Sequence, residues 1–219
     1  IRDRVQGDTS IMSLFGEDAT FDRLGTLQQA KNVSDDYRYS FAGENAQSST
    51  DAVQQAQAIL NQTFGKAAEH IEVATFANPP KDVRHLITSD VEGWFNPKTG
   101  KVTLIADSIN ATKTMSKEER LQFVAWHEMA HRGINVGYKG SYDSLMKEVG
   151  KNKAISQIAD AIQMQRKNTD DLAATNRSVA IEEAIAEMMA AHETGKWNEL
   201  ESRYGVAVSY THLRAHETV

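Results

Sequence analysis

The chain has 219 residues, 40% of them hydrophobic and only three of them proline, which is enough for one ordinary core plus a flexible extension. Its 30 acidic and 24 basic side chains are scattered to a net charge of -6, without the clustered Lys/Arg stripe that phosphate backbones require, so nucleic acid is excluded as the expected partner. Cysteine is absent, which excludes disulfide scaffolds, thiolate metal sites and cysteine nucleophiles, and leaves imidazole, carboxylate or water to hold any metal.

Residues 1–50 are polar, with a short amphipathic piece near Phe21 to Ala30, and read as a linker or the tail of a preceding module. From Asp51 to Phe64, Val53, Ala56, Leu60 and Phe64 recur at helical spacing after Ser48-Ser49-Thr50-Asp51, and Gly65 can end that helix. His70 to Phe76 alternates like a short strand. Val91 to Ala106 predicts a hairpin, with Asn96-Pro97-Lys98-Thr99-Gly100 as its turn. Ser116-Lys117-Glu118-Glu119 has the form of a capping box opening a helix to about Arg132, where Gly133 can stop it ahead of a glycine-rich loop to Gly140. Further helical patterns cover Tyr142 to Val149, Ala154 to Gln165 and about Val179 to Thr194, the last with Ser178 as its candidate cap and Gly195 past its end. Few strands followed by several helices predict an α+β domain over residues 51–207, with a small, mostly antiparallel sheet packed on helices.

No stretch approaches the roughly 20 apolar residues that span a bilayer, and the start lacks the order of a secretory signal, so no membrane partner is expected. Zero cysteine suits a reducing cytosol. The chain begins at Ile1 rather than Met, as a fragment of a longer protein would.

The chemistry lies in His127-Glu128-Met129-Ala130-His131. A helix turns about 100° per residue, so the two histidines lie about 40° apart on one face and about 6 Å apart along the axis. Both imidazoles can reach one ion. Zinc takes four ligands at about 2.0 to 2.1 Å from neutral imidazole, and catalysis needs one position kept for water. Glu128 flanks the ligand face, where it can take a proton from that water as the general base. The third ligand must come from elsewhere, and Ile134 and Gly137 stand where a metzincin would carry Gly and His, which removes that subclass.

A glutamate ligand is left. Ile181-Glu182-Glu183-Ala184-Ile185-Ala186-Glu187 sits on an otherwise apolar helix, where burying carboxylates is costly unless they bind a cation or accept hydrogen bonds. Glu183 and Glu187 share a face, which permits Glu183 to ligate zinc and Glu187 to accept the N–H of a ligand histidine from outside the coordination sphere. Glu182 points about 100° away, and the bland alternative for the whole cluster is a solvated acidic stripe. His192 is half a turn round from Glu183 and reads as a helix-terminal or surface histidine.

Val124-Ala125-Trp126-His127-Glu128-Met129-Ala130-His131, followed by Glu183-Ala184-Ile185-Ala186-Glu187, resembles the gluzincin pattern, in which a Glu-x-x-x-Asp helix supplies the third ligand and its acidic partner. Glu187 replaces the usual Asp, and the 51 residues between His131 and Glu183 exceed the spacing of thermolysin-like members. Over about Val91 to Tyr204 the chain looks more like the zincin-like metallopeptidase domain of phage and mobile-element polyvalent proteins. There a turn like Asn96 to Gly100 and a strand ending like Leu104-Ile105-Ala106-Asp107 lead into the His-Glu-x-x-His helix.

The resemblance implies a zinc endopeptidase acting on a peptide or protein, within a larger multidomain polypeptide that is cytoplasmic in a bacterial host or virion-associated. The hairpin edge is expected to accept a peptide as an added strand. Tyr204, Arg203, Tyr138 and Tyr142 are the candidate helpers for the oxyanion. The alternative is a non-catalytic zinc-binding or structural module. Val208 to Val219 resembles translated sequencing-adapter read-through, so the ligand spacing of His212 and His216 there is read as accidental.

Overall fold

Asn96 nucleates the turn that organises the sheet. Its side-chain oxygen accepts from Lys98 N (2.9 Å) and Thr99 N (3.3 Å), its carbonyl accepts from Gly100 N (2.8 Å), and Gly100 takes the left-handed φ of 69° that closes the turn. The computed structural model describes residues 38–41, 50–81, 84, 91–169 and 171–206, with backbone alone for 38–41, 50 and 51. The elements in chain order are β1 (Arg38–Phe41), α1 (Thr50–Phe64), β2 (Ile71–Ala74), β3 (Val91–Asn96), β4 (Lys101–Ile105), α2 (Lys117–Gly137), α3 (Tyr142–Val149), α4 (Lys153–Gln165), α5 (Arg177–Thr194) and α6 (Trp197–Tyr204).

The class is α+β. The sheet runs β1-β3-β4-β2, antiparallel at β1/β3 and β3/β4 and parallel at β2/β4. The predicted hairpin is β3/β4, but neither of its edges is open: β2 covers one and β1 the other. Arg38–Phe41, inside the segment read as a linker, is therefore a strand of this sheet. Its four residues carry too short a pattern to stand out from the polar sequence around them. The rest of the linker reading, the amphipathic piece near Phe21 and the read-through tail lie outside the described residues.

Two apolar clusters meet at α2. Leu121, Val124, Ala125 and Met129 face Leu60, Phe95, Val102 and Leu104 of the sheet side, while Phe123, Ala130 and Ile134 face Ile158, Ile162, Ile181 and Ile185 of the helical side. A helix buried on both flanks has no polar face to spare, so its histidines and Glu128 are carried inside. At Gly93 the sheet approaches α2 closely: a Cβ there would lie 2.8 Å from Leu104 Cδ2 and 3.1 Å from Val124 Cγ1. Gly93→Ala is expected to destabilise by about 1–3 kcal/mol through overpacking, read from denaturant unfolding.

Two helix boundaries differ from the sequence reading. Gly133 does not stop α2, which continues to Gly137; a mid-helix glycine costs only about 1 kcal/mol, and burial of Ile134 together with the bond from Asn135 Nδ2 to His131 O (3.1 Å) offsets it. Asn176 rather than Ser178 caps α5, accepting from Ser178 N (3.0 Å) and Val179 N (3.4 Å). The capping box at Ser116 and Glu119 is present as predicted, and Gly195 ends α5 in the left-handed conformation. No helix among the described residues is long and apolar enough to cross a membrane.

Candidate metal centre

Helix α5 is buried continuously from Val179 to Ala191, so Glu182, Glu183 and Glu187 are forced into the interior beside α2. None is a solvated stripe: they are 0%, 2% and 3% exposed, and Glu128, His127 and His131 are no more exposed than that. Desolvated carboxylates of this kind require cations or donors.

The structure brings His127, His131 and Glu183 together. One ligand atom from each lies within 4.8 Å of the others, and this buried group could hold a metal ion. The two imidazoles meet at their Nε2 atoms, 3.2 Å apart. Glu183 offers Oε1 at 3.4 Å from His131 Nε2 and Oε2 at 3.8 Å from His127 Nε2. Donors around a tetrahedral ion with bonds of about 2.0 to 2.1 Å stand roughly 3.3 to 3.4 Å apart, so little movement is needed for all three to bind one ion. Two of the carboxylates at this cluster are paired with guanidiniums, Glu183 with Arg166 and Glu187 with Arg203.

Glu182, which the sequence reading turned away from the site, is the best-placed partner of a candidate ligand histidine. Its Oε1 lies 2.8 Å from His131 Nδ1 and accepts from Asn135 Nδ2 (3.1 Å), and its Oε2 accepts from the Tyr142 hydroxyl (2.6 Å). A carboxylate at Nδ1 holds a proton there, so in the neutral ring the Nε2 lone pair is the one free for an ion. Glu187 lies on the Nδ1 side of His127 but at 3.9 Å, beyond hydrogen-bond range; it accepts instead from Arg203 Nη1 at 2.8 Å. Its place beside His127 is therefore electrostatic. The signal for Glu182 was present in the sequence, since an acid preceding the ligand on a fully buried helix also needs a donor.

The titrations follow from this packing. Burial and the neighbouring His131 lower the His127 pKa to about 4, so it is neutral at pH 7 and able to ligate. Burial also opposes a charge on His131, but Glu183, the bond to Glu182 and the nearby Glu128 outweigh it and raise its pKa. Burial alone would push the Glu187 carboxyl up, yet Arg203 and His127 hold it down to about 2.

Behind the ligands, Glu92 on β3 is fully buried and doubly bonded to Arg120, two turns before His127 on α2. This pair joins the sheet to the helix that carries His127 and His131. Of the predicted oxyanion helpers, Tyr142 is engaged by Glu182, and Arg203 by Glu187 and Glu199 (3.2 Å). Tyr204 is buried next to Arg203, with its pKa raised by burial and by Glu187. His192 stands in the last turn of α5 at the surface side, beside Glu193.

Glu182→Gln keeps the shape of the His131 contact and removes its charge. Metal affinity, measured against a chromophoric chelator, is expected to fall about 10- to 100-fold, and by less in Glu187→Gln.

Compared with known proteins, the chain matches no family model, no curated protein and no solved structure.

Proposed function

We propose that the chain is a zinc-dependent peptidase with a gluzincin-like site on a zincin-type scaffold. The observation that carries this is the convergence of His127 and His131 from α2 with Glu183 from α5, beside the buried Glu128. The donor set is two imidazoles and one carboxylate, which suits zinc among common divalent ions and leaves a fourth position.

Zinc, when bound, supplies Lewis acidity toward a water molecule and an amide carbonyl. The chain does the rest. His127, His131 and Glu183 hold the ion, and Glu182 with Asn135 and Tyr142 fixes the ring of His131. Glu128 takes the proton from the attacking water and returns it to the leaving amine as the peptide bond breaks. The substrate is a peptide or protein, and the domain belongs to a larger polypeptide of the phage or mobile-element type that its motifs resemble.

The depth of the site favours a second reading. Each of the three proposed ligand residues and Glu128 is at most 2% exposed, which suits a non-catalytic zinc module as well as a peptidase that opens for substrate. Incubating zinc-loaded protein with a broad peptide library separates the two. A peptidase cleaves, stops with a chelator and resumes with added zinc; stoichiometric zinc without cleavage of any member supports the module.

A further inference from the structure

Arg166 touches the metal centre from outside the two helices that build it. It caps the C-terminus of α4, and its guanidinium bridges two carboxylates: Nη1 donates to Asp171 Oδ2 at 2.7 Å and Nη2 to Glu183 Oε2 at 3.1 Å. Asp171 is itself fixed, because its Oδ1 accepts from Ala173 N at 2.8 Å and caps the short 3-10 turn Leu172–Ala174. The guanidinium is thus anchored to backbone at one end and to a candidate ligand at the other.

The two oxygens of Glu183 are consequently unequal. Oε1 is 3.4 Å from His131 Nε2, whereas Oε2, at the longer distance of 3.8 Å from His127 Nε2, is the oxygen held by Arg166. We propose that Arg166, anchored by Asp171, is a positioning residue that restricts Glu183 to donating one oxygen to the metal. A carboxylate free at both oxygens can chelate, which would fill the position that an attacking water needs. The guanidinium fork suits this task because it is planar and spans two carboxylates at once, which an ammonium point charge does not. Its positive charge beside an ion works against affinity, so the gain is geometric. The inference rests on the metal site proposed above and adds the control of its coordination number.

Cobalt(II) substitution reads that number directly, since four-coordinate cobalt absorbs visible light much more strongly than five-coordinate cobalt. Wild type is expected to show the intense four-coordinate bands. Arg166→Met should take up one cobalt with the bands weakened to the five-coordinate pattern, and Asp171→Asn, the milder variant, should shift the same way. Zinc affinity is expected to change by less than about tenfold in either, below the usual loss for a removed outer-sphere partner. If Arg166→Met fails to fold, Asp171→Asn carries the comparison. Unchanged bands in the folded variants would overturn the clamp while leaving the metal site standing. Wild type that takes up no cobalt would overturn both, which keeps the two failures distinct.

Discussion

Glu128→Gln is expected to keep its zinc and lose hydrolysis, by at least about 100-fold and up to about 10,000-fold, the range usual for a positioned general base. Glu128 is fully buried on α2 beside the two histidines, and its charge reaches His131. Glutamine matches its shape, so packing and the three ligands stay as they are. An amide cannot take the proton from water, and the loss should fall on kcat with little change in KM. The measurement is turnover of a cleaved library peptide beside the zinc content of the same preparation. Retained turnover in zinc-replete Glu128→Gln would remove the proposed base.

Glu183→Gln is expected to act on the metal itself. Wild type held at free zinc about 1,000-fold above its Kd gains about 4 kcal/mol from binding, a Tm rise of roughly 8–16 °C for a domain of this size. Replacing the third ligand should weaken binding by about 100-fold or more, beyond the usual loss for an outer-sphere partner. At the same zinc concentration the gain then drops to about 1.4 kcal/mol, or roughly 3–6 °C. Thermal unfolding of both proteins with and without zinc checks this. Equal shifts would mean that another group completes the coordination.

The parts of this molecule that follow short-range rules were legible in the sequence. A turn that needs an Asn side chain and a left-handed glycine, a capping box at Ser116, and a glycine past α5 each announce themselves within five residues, and each is present. His127 and His131 needed only helical spacing. Glu183 was reachable because an acid on an apolar helix implies a cation or a donor.

What escaped depended on tertiary partners. Gly133 looked like a stop until Ile134 and Asn135 found places against α5, and β1 is a strand because the edge of β3 pairs with it. Glu182 was set aside by angle alone. Yet α5 is covered on all sides, and a direction away from Glu183 still ends on His131, Asn135 and Tyr142. Helix α6 was not predicted, although Trp197, Leu200 and Tyr204 between Gly195 and Gly205 carry its period. It brings Arg203 to Glu187 and takes the hydrogen bond that the sequence assigned to His127.

Zinc K-edge X-ray absorption of the purified, zinc-replete chain tests the central claim most directly. The expected shell holds two imidazole nitrogens at about 2.0 to 2.1 Å and two oxygens at about 2.0 to 2.2 Å, with one imidazole lost in His131→Ala. A protein that retains no zinc after exposure to it, or an ion whose shell contains no imidazole, would contradict it.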